Sequence, residues 1–209
     1  DCLLSRGLGD VYKRQPMHTQ DFVLGIEKGD DNYLCDQPMY GEKLHIAHDI
    51  KGYFDLRQAI CCAKAQKKPL FIDFTGATCT NCRLMEAKVW SDPKVLELLK
   101  KDFVVVSLYA DKYKTPLLEG EEYVTAEGKE ITSLGKSIVD FQRKKYGLAA
   151  SLPMYSIVGY DAIKSTKDKI VLTELVETRE FDTDIKEYIK FLETGKAAYS
   201  DLNVVDEKE

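Results

Sequence analysis

Two cysteines separated by two residues, Cys79 and Cys82, follow a run of apolar residues and begin a segment of helical character. The run, Leu70 to Phe74, is short and nearly continuous, as in a strand that is covered on both faces of its sheet. Cysteines at i and i+3 in a first helical turn lie on one face and can form a disulfide without backbone movement. A pair in this position is typical of a redox motif.

The position of each cysteine predicts its role. Cys79 lies at the helix N-terminus, where unpaired N–H groups and the helix dipole stabilise a thiolate, so we expect it to be the nucleophile. Cys82 is expected to be deeper and to resolve the mixed disulfide. Two alternatives are a zinc half-site and a pair of unbonded core cysteines.

Zinc requires four ligands, and the chain offers only one other pair of neighbouring cysteines, Cys61 and Cys62. On the preceding helix these two sulfurs are expected to point in different directions, away from the apolar stripe formed by Leu56, Ala59, Ile60 and Ala63. The histidines are remote in sequence. We therefore predict no metal and no cofactor beyond the Cys79–Cys82 disulfide. We interpret Cys35, Cys61 and Cys62 as bystanders without a role in the reaction. The alternative is a regulatory role for the adjacent pair Cys61 and Cys62.

Strands and helices alternate along the chain, which predicts a mixed sheet between helices, an α/β fold. The expected helices begin after Asp55, near Cys79, after Asp92, near Lys136 and at Asp182, and the last one stops at Gly195. The expected strands are Leu70 to Phe74, Phe103 to Tyr109, Pro153 to Val158 and Ile170 to Val176.

Four regions follow from this pattern. Residues 1–15, with Cys2, are expected to be a non-native or disordered tail, and residues 16–52 an extended lead-in that wraps or tethers the domain. Residues 53–199 form the domain, and 200–209 a disordered C-terminal tail. A polar insertion, 111–134, precedes the penultimate helix and has a possible hairpin at Gly128.

Charge and hydropathy narrow the classes of partner. The formal net charge is -5, and the short basic runs lack interleaved aromatic residues, so we expect no nucleic-acid binding. No apolar run approaches the roughly 20 residues that span a bilayer, and we recognise no signal-peptide pattern in the given residues. The chain begins without Met, so we expect it to be part of a longer protein whose export information is missing here.

Two carboxylates accompany the cysteines. Asp73 interrupts the apolar strand, so we expect it to be buried, with a raised pKa that lets it exchange a proton with Cys82. The alternative is a buried Asp that only accepts hydrogen bonds. Glu86 follows Cys82 by four residues on the same helix face and is expected to shape the pKa of the thiols; a solvated glutamate is the alternative.

The segment from Phe71 to Glu86, followed by Val89-Trp90-Ser91-Asp92-Pro93, resembles the C-terminal thioredoxin-like domain of the thiol:disulfide interchange protein DsbD family. The resemblance covers roughly Tyr53 to Tyr199. It implies a thioredoxin-like fold in which Pro153 is a cis-proline against the disulfide, leaving the preceding backbone free to pair with a substrate strand.

The resemblance also implies function and place. A domain of this family is periplasmic, follows a membrane-embedded electron donor, and passes electrons to a periplasmic acceptor domain and so to protein disulfides, in a role related to cytochrome c biogenesis. It implies that Cys79 is the attacking thiol and Cys82 the resolving thiol, and that the Asp73 and Glu86 carboxylates adjust the pKa values of these thiols. It also implies a monomeric domain.

The sequence departs from thioredoxins at Thr78, where a Trp is usual before the first cysteine. We expect Thr78, Leu152 and Pro153 to form the substrate-binding surface. Two other functions stay open: a disulfide oxidase or isomerase with the same fold, and a binding module in which the cysteines are structural or metal-bound.

Overall fold

The computed structural model of the chain describes residues 32–147, 151–161, 165 and 170–204. Some predicted regions lie outside the described residues: the tail at 1–15 with Cys2, the first part of the lead-in at 16–31, and the end of the C-terminal tail at 205–209.

The helices and strands are numbered in chain order. They are β1 (Gly52–Tyr53), α1 (Leu56–Gln66), β2 (Leu70–Thr75), α2 (Thr80–Met85), α3 (Pro93–Asp102), β3 (Val104–Tyr109), β4 (Tyr123–Val124), β5 (Glu130–Ile131), α4 (Leu134–Tyr146), β6 (Met154–Tyr160), β7 (Leu172–Glu174) and α5 (Ile185–Val204). A 3₁₀ turn (Ala47–Asp49) precedes β1, and a π-helical turn (Glu86–Trp90) joins α2 to α3.

The central sheet has the strand order β1-β3-β2-β6-β7. β3 is parallel to β1 and β2, whereas β6 is antiparallel to β2 and β7. The sheet is therefore mixed and flanked by helices, which confirms the predicted fold class. β2 lies in the middle with strands on both sides, so its six residues are all buried, as its apolar run predicted.

Alternation along β2 divides its side chains between two cores. Ile72 and Phe74 pack with α1 and α4 on one face, and Phe71 packs with α3 and α5 on the other. The second face also carries Met85 of α2. Since Asp73 is two residues from Phe71, it lies on this second face, beneath the segment that carries the cysteines.

Side-chain caps set the starts of α1 and α3 where the sequence predicted them, whereas α5 begins at Ile185 rather than at the predicted Asp182. Asp55 accepts hydrogen bonds from the backbone N–H groups of Arg57 and Gln58, and Asp92 caps α3 with Pro93 at its first position. α4 ends at Gly147 in the left-handed conformation, with φ 68°.

The prediction that Gly195 stops the last helix is wrong. α5 runs from Ile185 to Val204, so residues 200–204, placed in a disordered tail, are helical. A Cβ on Gly195 would lie 2.6 Å from Cδ1 of Ile157, so glycine lets the helix approach β6 closely. No helix in the described residues is long and apolar enough to cross a membrane.

The insertion at 111–134 forms the predicted hairpin. β4 and β5 pair antiparallel around Gly128, which has φ 78° and thus needs the freedom of glycine. Together with α1 and α4 the insertion borders a cavity of about 410 Å³ whose lining includes Phe54, Leu108 and Phe141.

Candidate active site

The Cys79–Cys82 pair forms a disulfide at the start of α2. Cys79 is the N-cap residue, and its Sγ accepts a hydrogen bond of 3.1 Å from the backbone N–H of Cys82. The two Cα atoms are 5.3 Å apart. Cys79 is partly exposed, whereas Cys82 is 2% exposed. This is the geometry expected for an accessible attacking sulfur and a shielded resolving sulfur, while the roles themselves stay predictions.

Asp73 is the buried carboxyl that the sequence predicted. It pairs in register with Ser107 on β3 and Tyr155 on β6, and the Ser107 hydroxyl donates a 2.8 Å hydrogen bond to its Oδ2. Burial raises the pKa of Asp73 to about 7; the Ser107 hydrogen bond opposes the rise, and the charge of Glu86 adds to it. At neutral pH the carboxyl can therefore both accept and donate a proton.

Glu86 is half-buried rather than solvated. Its Oε1 lies 2.9 Å from Nη2 of Arg83, and its side chain is 14% exposed. Burial raises the pKa of Glu86, although the charges of Arg83, His45 and His48 act in the opposite direction. The charge of Glu86 thus helps to raise the pKa of Asp73, whereas its predicted effect on the pKa of the thiols stays a prediction.

Arg83 is a site residue that the sequence did not reveal. Besides Glu86, its Nη2 group contacts Thr75 Oγ1 at 3.0 Å and the Gly76 carbonyl at 3.4 Å. It therefore ties α2 to the end of β2, and its charge opposes the raised pKa of Asp73. The one signal in the sequence was its position: a cation directly after Cys82 lies in the same helical turn.

Asp111 is a second such residue, and it holds the loop before the disulfide. Its Oδ2 accepts hydrogen bonds from the backbone N–H of Thr78 at 3.0 Å and from the Thr78 hydroxyl at 3.1 Å. Burial would raise the pKa of Asp111, but the hydrogen bonds from Thr78 and Ala77 lower it overall. Asp111 follows the end of β3, parallel to β2, so both carboxyl ends meet at this edge.

The predicted substrate-binding residues lie at the same end of the sheet. The Leu152–Pro153 peptide bond is cis, which confirms that prediction, and Pro153 is buried. Since Met154 pairs with Phe74, Pro153 lies beside the end of β2, where the loop to Cys79 begins. A Cβ on Gly76 would lie 3.3 Å from Cδ1 of Leu152, and Thr78 is exposed. Substrate binding by these residues stays a prediction.

The interpretation of Cys35, Cys61 and Cys62 as bystanders is wrong. Cys35 and Cys62 form a disulfide across 27 residues, with Cα atoms 5.5 Å apart, and Cys61 is disulfide-bonded as well. Cys62 is 1% exposed and lies in the core with Ala59, contrary to the prediction that it points away from that stripe. At i+3 from Ala59 it shares the same helix face.

The histidines are also closer to the site than their sequence positions suggested. Nε2 of His48 lies 2.7 Å from the carbonyl oxygen of Glu86, and the His45 carbonyl accepts a 2.7 Å hydrogen bond from the Tyr109 hydroxyl. His18 lies outside the described residues. Among the residues that are described, no three His, Cys, Asp or Glu side chains are grouped as a metal site.

A family model described as thioredoxin-like matches residues 50–158. No curated protein sequence matches. Among solved structures, a thioredoxin from Thermus thermophilus is 21% identical, with a TM-score of 0.46, over 68% of this chain and 84% of that one.

Two further structures are similar at lower identity. A DsbH oxidoreductase is 13% identical, with a TM-score of 0.44, over 75% of this chain and 94% of that one. A disulphide isomerase from Xylella fastidiosa Temecula1 is 14% identical, with a TM-score of 0.38, over 78% and 97% of the two chains.

Proposed function

The chain belongs to the thioredoxin-like family, and we propose that it is a thiol:disulfide oxidoreductase that works as a protein-disulfide reductase. The Cys79–Cys82 couple carries two electrons from a donor to the disulfide of a partner protein. The observation that carries the proposal is a single arrangement: an accessible sulfur at a helix N-terminus, a shielded sulfur one turn on, and the buried Asp73 carboxyl beneath that segment.

The first step begins with the reduced pair. The N-terminal N–H groups of α2 stabilise the Cys79 thiolate, just as the Cys82 N–H contacts Cys79 Sγ in the disulfide form. The thiolate attacks one sulfur of the partner disulfide, so a Cys79–partner disulfide forms and the partner S–S bond breaks. The partner's other sulfur leaves as a thiolate and takes a proton from water.

The second step needs a thiolate on the shielded Cys82. Asp73, with a pKa of about 7, takes the Cys82 proton directly or through water. Cys82 then attacks Cys79 Sγ, the Cys79–Cys82 disulfide forms, and the partner's remaining sulfur leaves as its thiolate. The partner has gained two electrons, the cysteine pair has lost two, and a donor dithiol later restores the reduced pair.

The direction of electron flow and the partners belong to the same proposal. The sequence from Phe71 to Pro93 resembles the DsbD C-terminal domain, which supports a periplasmic location, a membrane-embedded donor domain, an acceptor domain, and a link to cytochrome c maturation. An extended partner segment would pair with the backbone beside Leu152, where the cis bond to Pro153 leaves the end of β6 next to the cysteine loop.

Trapping of a mixed disulfide tests the mechanism. Reduced Cys82→Ser protein is mixed with oxidised insulin, and non-reducing electrophoresis with mass spectrometry identifies any covalent product. We expect a stable Cys79-linked adduct, because resolution is blocked. The matched Cys79→Ser variant should form none and should not reduce insulin. Equal adduct formation by both variants, or none by either, would contradict the proposed roles.

A further inference from the structure

The lead-in from residue 32 to β1 is fastened to the domain at several points. The Cys35–Cys62 disulfide joins it to α1. The side chain of Gln58, also on α1, accepts a 2.8 Å hydrogen bond from the Met39 N–H and donates to Asp36 and to the Gln37 carbonyl, each at 2.9 Å. The buried residues Leu44 and Ile50 anchor its second half. The segment is thus a fixed part of the structure.

His48 projects from this fixed segment to the active-site helix. Its Nε2 is 2.7 Å from the carbonyl oxygen of Glu86, 38 residues further along the chain. A carbonyl oxygen only accepts hydrogen bonds, so the ring donates from Nε2–H. His48 and Asp49 both have left-handed backbone conformations, with φ 58° and 55°. Consecutive residues of this kind are uncommon outside glycine, and surrounding contacts must hold them.

The carbonyl that accepts this hydrogen bond lies directly after the active-site helix α2. Glu86 is the first residue of the π-helical turn that directly follows α2, the helix that Cys79 caps. The side chain of the same residue pairs with Arg83, which in turn contacts Thr75 and Gly76 at the start of the cysteine loop. The position of this turn therefore sets where the Glu86 and Arg83 charges lie relative to the buried Asp73.

We infer that His48 is a positioning residue of the redox site, an inference that rests on the proposed function. The imidazole holds the Glu86 carbonyl, and with it the Arg83–Glu86 pair, in the arrangement used for disulfide exchange. The lead-in is then part of the reaction site, and the redox domain begins before β1. His48 acts through the Glu86 turn and touches neither sulfur.

The test compares three substitutions of His48 with an exposed control in the same segment. His48→Leu removes the donor. His48→Asn keeps a residue type that tolerates the left-handed conformation but is too short to reach the carbonyl. His48→Gln places an amide N–H at about the reach of Nε2. Lys43→Gln is the control, since Lys43 is exposed. In each protein the Cys79–Cys82 pair is reduced at a potential that leaves Cys35–Cys62 closed. The single-turnover rate of insulin reduction is then measured at one fixed temperature, and thermal unfolding is followed separately.

We expect His48→Leu and His48→Asn to react about fivefold more slowly than the wild type, and His48→Gln and Lys43→Gln to stay within about twofold. A purely structural role would lower the unfolding temperature without this pattern of rescue. Leu and Asn variants that react as fast as the wild type, or a Gln variant as slow as they are, would overturn the inference. A wild-type protein that fails to reduce insulin would instead count against the proposed function.

Discussion

The two described disulfides share a bond type and differ in their surroundings. Cys79–Cys82 joins positions three residues apart at a helix N-terminus, with Cys82 shielded and with Asp73, Arg83 and Glu86 nearby. Cys35–Cys62 joins positions 27 residues apart. Cys62 lies in the core and Cys35 is partly exposed, and the neutral amide of Gln66 lies 3.1 Å from Cys62 Sγ and 3.8 Å from Cys35 Sγ.

Under the proposed function, the neighbourhood rather than the bond decides what each cysteine pair does. A sulfur is reactive where a helix N-terminus and nearby charges stabilise its thiolate and where a partner can reach it. Cys62 is shielded, and neither its sulfur nor that of Cys35 lies at a helix N-terminus, so their bond mainly restricts the unfolded chain. We therefore propose electron transfer for the first disulfide and attachment of the lead-in for the second.

The largest effect is expected from Asp73→Asn, which removes the buried titratable carboxyl near the active pair. The pKa of Asp73 is about 7 in the folded protein, against an ordinary value of 3.8 in the unfolded chain. Between these two pH values the folded state therefore binds more protons than the unfolded state. The stability of the wild type therefore falls as pH rises through this window. In urea denaturation of the oxidised protein, the Asn variant should be more stable at pH 8, by up to about 4 kcal/mol, and nearly equal at pH 4.

Asp140→Asn is the matched control for this comparison. Asp140 is also buried, but hydrogen bonds from Lys144 and Tyr123 outweigh burial and lower its pKa. Its ionised form therefore contributes stability above the ordinary pKa, and this stability is lost as pH falls. The Asn variant at 140 should be less stable than the wild type at pH 8. If Asp73→Asn showed no pH-dependent gain, Asp73 would not be the perturbed carboxyl.

A somewhat smaller effect is expected from removing the second disulfide. In a Cys35→Ala/Cys62→Ala variant, the loop of 27 residues is no longer closed, so the free energy of unfolding should fall by about 3 kcal/mol. The rate of insulin reduction should stay within about threefold of the wild type, because Gln58 and Tyr53 still hold the lead-in. Denaturation and single-turnover kinetics on the same sample measure both quantities.

The contrast between the two disulfides depends on this separation of stability from activity. A variant that lost nearly all activity while still folded would place Cys35–Cys62 in the electron path. One with unchanged stability would show that the bond does not restrain the chain. Either result would require the assignment of the two disulfides to be revised.

Features set by local rules were predictable from the sequence. The apolar run of β2, the caps Asp55 and Asp92, and the hairpin at Gly128 depend on neighbouring residues, and the structure confirms them. The burial and raised pKa of Asp73 followed from one acid in an apolar strand. The cis bond before Pro153 came from family resemblance.

Long-range contacts were not predictable in this way. The Cys35–Cys62 bond, the Asp111 contacts with Thr78 and the His48 contact with Glu86 each join residues at least 27 positions apart. The spacing of residues along the chain does not predict such pairs, because their distance in space depends on the topology of the sheet. Gly195 was misread for a related reason, since only the position of Ile157 shows that its missing side chain makes room for β6.

The order in which the disulfides open tests the division of roles between them most directly. The oxidised protein is equilibrated in dithiol buffers of defined potential, the free thiols are alkylated, and peptide mass spectrometry assigns them to individual cysteines. We predict that Cys79–Cys82 opens reversibly as a two-electron couple between about −270 and −220 mV, as in a reductase. Cys35–Cys62 should stay closed to below about −300 mV. Opening of Cys35–Cys62 first, or a Cys79–Cys82 couple near about −120 mV, would contradict this division.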